Sequence, residues 1–181
     1  MILDSIFNLV IVSLLLGAQW LMRPLAFFRI TRIIFWVLLF GALFLSFYLT
    51  HEQYKIWLAH PLSQFLLPPH QSANYFISYA SVNFFLPIVA NLLLATMAML
   101  ALFLINKNSK GRFFESVESY LAGVAVLLSG AAWPILLLAL VGIAFLGSVI
   151  NLLRKRGAFS LEYFWLPAAA SAILILKIIS L

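Results

Sequence analysis

The sequence predicts an all-α fold: a polytopic transmembrane helical bundle of about six spans, with an interfacial or re-entrant segment between the second and third. Three observations predict it. The chain has 181 residues, of which 65% are hydrophobic and 9% charged. A soluble domain carries about 25% charged residues, so this chain has too little polar surface to cover a water-soluble globule. Second, Leu121 to Leu153 runs for 33 residues without a charged side chain, interrupted only by Ser129-Gly130-Ala131-Ala132-Trp133-Pro134. One helix of that length would extend roughly 50 Å, far beyond a hydrocarbon core of about 30 Å. The run therefore reads as two spans joined by a tight turn at Gly130 to Pro134. Third, nine of the eleven Lys and Arg residues fall in three short stretches, 23–32, 106–113 and 154–160. With six spans all three lie on one face, as the positive-inside rule requires, whereas five spans would scatter them.

The spans follow in order within a single integral membrane domain, 1–181. Span one is about 5–22; the start Met1-Ile2-Leu3-Asp4 lacks the basic n-region of a secretory signal, so the segment is read as retained. Span two is about 33–49, after a loop carrying Arg23, Arg29 and Arg32. The external segment 51–73 mixes polar and apolar residues around Pro61, Pro68 and Pro69. Its middle, residues 54–59, has too few apolar side chains to span and is expected as a short interfacial helix or a re-entrant piece. Span three is about 83–105, preceded by an interfacial turn from Asn74, with Pro87 kinking it or marking its first full turn. Spans four, five and six are about 114–130, 134–153 and 161–181.

Composition also excludes chemistry. With no cysteine there is no disulfide, thiolate metal site or cysteine nucleophile. The net charge of +6 resides at helix ends, so a nucleic-acid partner is not expected. His51, His60 and His70 are nine and ten residues apart, unlike the close spacing of metal ligands, and read as interfacial histidines. No cofactor and no metal are expected. Ser129 has no histidine in any later span to serve as base, which removes an intramembrane serine protease. The five tryptophans fall mostly near span ends, where interface anchors belong.

The polar residues inside the spans are the candidate contacts. Asn83, Pro87 and Asn91 recur at i, i+4 and i+8 on one face of span three, continued by Ala95 and Ala98. That face suits either a substrate path or helix–helix adhesion beside small residues, and adhesion is the favoured reading. Small residues four apart mark further seams: Ser119 with Gly123, Ala125 with Ser129, Ala144 with Ser148, and Ala168 with Ala172. Asn151 adds an amide near the end of span five. Glu115 and Glu118 share a face at the cytoplasmic mouth of span four, and Asp4 shares one with Asn8 at the start of span one. Paired carboxylates can do acid–base work or bind a divalent cation. Acids favoured by the helix dipole in a first turn, near Lys107, Lys110 and Arg112, are the preferred account.

Basic loops after spans one, three and five, acids opening span four, and a proline-started fifth span ending in Arg154-Lys155-Arg156-Gly157 together resemble the layout of prepilin-peptidase-type membrane aspartyl proteases. That resemblance implies an aspartate opening the second span and a Gly-x-Gly-Asp opening the fourth. Here Phe28 to Ile34 holds no acid, and Glu115 and Glu118 lie in Gly111-Arg112-Phe113-Phe114-Glu115-Ser116-Val117-Glu118, so the two-aspartate mechanism has no pair to use. What the likeness leaves is an inactive relative of that family.

The functional expectation is a non-catalytic multi-pass subunit or accessory protein of a larger membrane-embedded complex, not an enzyme, with the lipid bilayer and other integral membrane proteins as partners. It is placed in a bacterial inner membrane, with loops 23–32, 106–113 and 154–160 cytoplasmic and both termini opposite. The alternative is a small permease or substrate-capturing component, with a small-molecule ligand held by Asn83, Asn91, Trp57 and His70. A membrane enzyme using Glu115 and Glu118 is the third class.

Overall fold

The computed structural model describes residues 2–108, 116–153 and 161–179. Among them every regular element is helical: α1 (Ile2–Leu21), α2 (Pro24–Ala59), α3 (Ala73–Ala80), α4 (Leu86–Asn108), α5 (Ser116–Ser129), α6 (Trp133–Leu153) and α7 (Trp165–Ile179). Four helical stretches are long and apolar enough to cross a membrane: Pro24–Ala59, Ala73–Asn108, Val117–Ile150 and Glu162–Ile179; Ile6–Leu21 is a shorter apolar helix. The protein is an all-helical integral membrane protein.

The chain divides into two compact units, Met1–Trp36 with Leu94–Leu181, and Val37–Leu93. In the first unit α7 packs against α1, α5 and α6. Its buried residues Trp165, Ala168, Ala169, Ala172 and Ile173 recur at the three- and four-residue spacing of one helix face. Helix α5 is buried on nearly all sides: between Val117 and Ser129 only Tyr120 and Leu127 are partly exposed. Its small residues Ser119, Ala122, Gly123 and Ala125 let neighbouring helices approach closely, and it fills the middle of the unit. From α2, Phe27, Thr31 and Phe35 pack inward at i, i+4 and i+8 with 1%, 0% and 0% exposure.

The uncharged run breaks where the sequence places its turn. Gly130 takes φ +52°, a left-handed conformation that glycine adopts without a side-chain clash, and a single 3-10 turn, Gly130–Ala132, leads into α6. The Asn8 amide donates to the Leu128 carbonyl (2.9 Å) and so satisfies one of the carbonyls that a helix end leaves open. Asn8→Leu is expected to cost about 1 kcal/mol and to speed amide exchange through Gly130–Ala132, read by hydrogen exchange in micelles; unchanged exchange there would refute the capping role.

The second unit is an antiparallel pairing of the C-terminal part of α2 with α3 and the turn after it. Phe47 meets Phe85 (ring centroids 5.0 Å), Tyr54 meets Phe76 (5.3 Å), and Trp57 meets Tyr75, Phe76 and Tyr79 (6.2, 5.3 and 4.8 Å). Rising numbers on α2 face falling numbers on its partner. Trp57, Leu67, Phe76 and Ala80 form the buried core of this unit, with Leu66, Tyr79 and Phe84 against it.

Three element boundaries correct the sequence expectations. The loop after span one shrinks to Met22 and Arg23, because α2 starts at Pro24. Proline suits the first helical position, and arginine is a good helix former. Residues 51–59 form no separate interfacial helix: they complete α2, which ends at Ala59, just ahead of His60, the residue before Pro61, which is disfavoured in helix. Of the external segment only 60–72 is outside α-helix, with a 3-10 turn at Ser63–Leu66. Span three begins early, at Ala73, and Pro87 is accommodated by a π-helical turn, Ser81–Phe85. The Leu86 N–H reaches back five residues to the Ser81 carbonyl, a local widening that makes room for the proline ring.

Candidate functional site

The polar residues that α1, α5 and α7 bury gather at one end of the first unit. Two hydrogen bonds set the directions. Asn8, early in α1, reaches Leu128, late in α5. Gln19, late in α1, donates its amide to the Glu162 carbonyl just ahead of α7 (3.1 Å). Helix α1 is therefore antiparallel to both, and the 3-10 turn Glu162–Phe164 packs on α5. The end of α1, the first turn of α5 and the start of α7 thus share one level. Tyr120, in the same part of α5, stacks edge-on against Phe28 and Phe35 of α2 (5.7 and 6.1 Å).

Five side chains at this end are withdrawn from solvent: Gln19 (8% exposed), Glu118 (0%), Ser119 (2%), Glu162 (8%) and Trp165 (6%). Three of their atoms, Gln19 Oε1, Ser119 Oγ and Trp165 Nε1, are buried without a hydrogen-bond partner. Leaving such a group unsatisfied costs about 1–3 kcal/mol each. Chemically they are complementary: Trp165 can only donate, the Gln19 oxygen can only accept, and the Ser119 hydroxyl does either. Among the described residues no three His, Asp or Glu side chains come together as metal ligands.

The residues singled out by sequence are distributed as follows. Ser119 and Glu118 lie in the site; Glu118 is in the first turn of α5, where the helix dipole favours an acid, yet it is enclosed rather than facing water. Glu115 and the Asn151 side chain lie outside the described residues. Gly123 faces the Phe35 ring. Ser129 is buried and donates back to the Val126 carbonyl (3.0 Å), whereas Ser148 is exposed. Asn83 and Pro87 are exposed, Asn91 is half-buried, and the Asn83 amide donates to the Tyr79 carbonyl (2.8 Å). Trp57 is committed to its aromatic neighbours, and His70 rests against Phe65 (4.9 Å). His51, His60 and His70 are all exposed; the Leu62 and Ser63 N–H groups reach His60 Nδ1 at 3.3 and 3.4 Å.

Gln19, Glu162 and Trp165 were not among the expected site residues, although the sequence carries a signal for each. Gln19 continues the face of Val12 and Leu15, both buried, at helical spacing. Glu162 and Trp165 precede Ala168 and Ala172 on the face that α7 turns inward. A polar residue in register with an apolar stripe is the readable sign. No family model matches the chain, and neither the curated proteins nor the solved structures contain a significant match to it.

Proposed function

We propose that this chain is a non-catalytic, multi-pass subunit or accessory protein of a larger membrane-embedded assembly, acting through helix–helix contacts. The observation that carries this reading is a contrast in burial. The most apolar windows of Pro24–Ala59 and Ala73–Asn108 are only 11% buried, against 50% for Val117–Ile150. One part of the chain is a closed scaffold, and two helical stretches of 36 residues each remain open along most of their length. Acyl chains cover an apolar face, but they offer nothing to the exposed Asn83 side-chain carbonyl oxygen, whose amide N–H is already bonded to the Tyr79 carbonyl. A partner helix does, and amides and small residues are what hold helices together in lipid. The accompanying topology has six spans, with the basic stretches after α1, α4 and α6 cytoplasmic, in a bacterial inner membrane. It is supported by the shared level of the α1 end, the α5 start and the α7 start.

The test is site-specific photo-crosslinking in native membranes from Phe44 on α2 (73% exposed) and Val82 in the turn before α4 (61%), with Leu138 on α6 (74%) for comparison. Discrete protein adducts at the first two positions and lipid adducts at the third are expected. Lipid adducts alone at all three would end the proposal.

A second reading, a small permease or substrate-capturing component, draws on the three orphaned buried atoms at this end of the first unit. It predicts thermal stabilisation by a small polar metabolite that Ser119→Ala and Trp165→Phe both abolish. A metabolite panel that gives no shift with the wild-type protein would remove it.

A further inference from the structure

We propose that the π-helical turn Ser81–Phe85 is the docking point for a transmembrane helix of another protein, one that presents a hydrogen-bond donor. The proposal rests on the subunit reading and names the place and the chemistry of one contact. In the turn the Leu86 N–H bonds to the Ser81 carbonyl, and Pro87 has no N–H to give. These are the two groups that could reach the Val82 carbonyl from four or five residues ahead, so that oxygen has no main-chain donor along its own helix. The adjacent Asn83 amide turns the other way and donates to the Tyr79 carbonyl (2.8 Å). The turn also decides which way these acceptors face. At 3.6 residues per turn, a plain α-helix would carry the inward face of Phe76 and Ala80 on to Asn83, Pro87 and Asn91. One additional residue in the turn moves that face to Phe84, Ile88 and Leu92, all at least partly buried, and leaves Val82, Asn83, Leu86, Pro87 and Ala90 exposed. The strip belongs to a helical stretch long and apolar enough to cross a membrane. The Phe85 ring rests on Phe47 (5.0 Å), inside the uncharged run 33–50 of α2. Acyl chains cannot donate to an open carbonyl, whereas neighbouring helices re-satisfy the backbone groups that a proline frees. A partner span carrying Ser, Thr, Asn or Gln supplies the O–H or N–H, and the small Ala90, one turn beyond Leu86, lets its backbone come close.

The test is photo-crosslinking from Leu86 (61% exposed) in native membranes, with the adduct peptide sequenced by mass spectrometry. The expected adduct is an apolar span of another membrane protein, with Ser, Thr, Asn or Gln within one turn of the attachment point. Two variants then separate the acceptors. Asn83→Leu removes the side-chain oxygen. Removal of Val82 together with Pro87→Ala converts the turn to plain α-helix, closes the open carbonyl and keeps Phe84, Ile88 and Leu92 in register with Ala80. Each is expected to lower the Leu86 adduct by about threefold to thirtyfold, the range that interhelical hydrogen bonds span in membranes. Their unfolding midpoints in micelles should stay close to that of the wild type. Should the shortened variant not fold, Asn83→Leu against Asn83→Gln, which restores the acceptor, decides alone: equal adducts from the two overturn the proposal. Undiminished adducts in the folded variants also overturn it, as do lipid adducts or a peptide of a second copy at Leu86. If Phe44 still gives protein adducts in those cases, the subunit reading stands; loss of protein adducts at both positions in the wild type removes both.

Discussion

Gly123→Val is expected to be the most damaging single substitution in the first unit. A Cβ on Gly123 would lie 2.6 and 2.9 Å from Cε2 and Cδ2 of Phe35, and 3.4 Å from Cβ of Met99. The ring cannot simply swing aside. Phe35 is 0% exposed and is held edge-on by Tyr120 (6.1 Å) and Trp36 (5.5 Å). Overfilling a packed interior costs about 1–3 kcal/mol, so Gly123→Ala falls in that range and the valine, with two more methyl groups, exceeds it. Phe35→Ala alone should cost about 3–5 kcal/mol. The double variant should lose less than the sum, by a coupling of about 0.5–3 kcal/mol, because removing the ring vacates the space the new side chain needs. Unfolding midpoints in micelles read all three. Strictly additive losses would mean that Gly123 and Phe35 do not share a contact.

Glu118→Lys is expected to abolish the folded state, while Glu118→Gln keeps it. The Glu118 side chain is 0% exposed, with Val117 at 7% and Leu121 and Ala122 at 0% beside it. An ammonium group there would leave water without a partner chosen for it, and breaking a buried charge arrangement costs about 3–5 kcal/mol, a large part of a typical domain's stability of about 5–15 kcal/mol. Glutamine keeps the shape and one carbonyl acceptor, so its cost should stay within about 1–2 kcal/mol. Monodisperse yield on size-exclusion chromatography separates the two. A Glu118→Lys protein with an unchanged melting point would show that this level of α5 is open to water. Retained cellular function in Glu118→Gln would also dispose of an enzymatic role for its carboxylate.

Much of the architecture could be read along the chain because hydrophobic runs, prolines and glycines act locally. Gly130 interrupts the longest run, as its neighbours Ser129 to Pro134 suggest. Among the small-residue pairs, Ala168 and Ala172 are buried at 4% and 0%, and Ser119 at 2%. Ser148, at the same spacing from Ala144, is exposed. Spacing defines a face, but not whether another helix covers it. Trp57 and Trp165 illustrate the limit from the other side. Both sit near span ends where interface anchors are expected, yet both are buried, at 9% and 6%, because aromatic and helical neighbours distant in sequence close over them.

The sequence by itself determined the class of the protein: helical, apolar beyond what water tolerates, with most of its cations near helix ends and with breaks at Gly130 and around Pro61, Pro68 and Pro69. These are consequences of local transfer free energy and backbone sterics. Only the tertiary structure decided that α5 is enclosed, that Glu118 and Glu162 are withdrawn from solvent, and that Gln19, Ser119 and Trp165 are buried at the same end with unsatisfied atoms. Burial depends on which helices surround a residue, and hydrogen bonds across intervals of 120 and 143 residues leave no trace in the periodicity of any one segment.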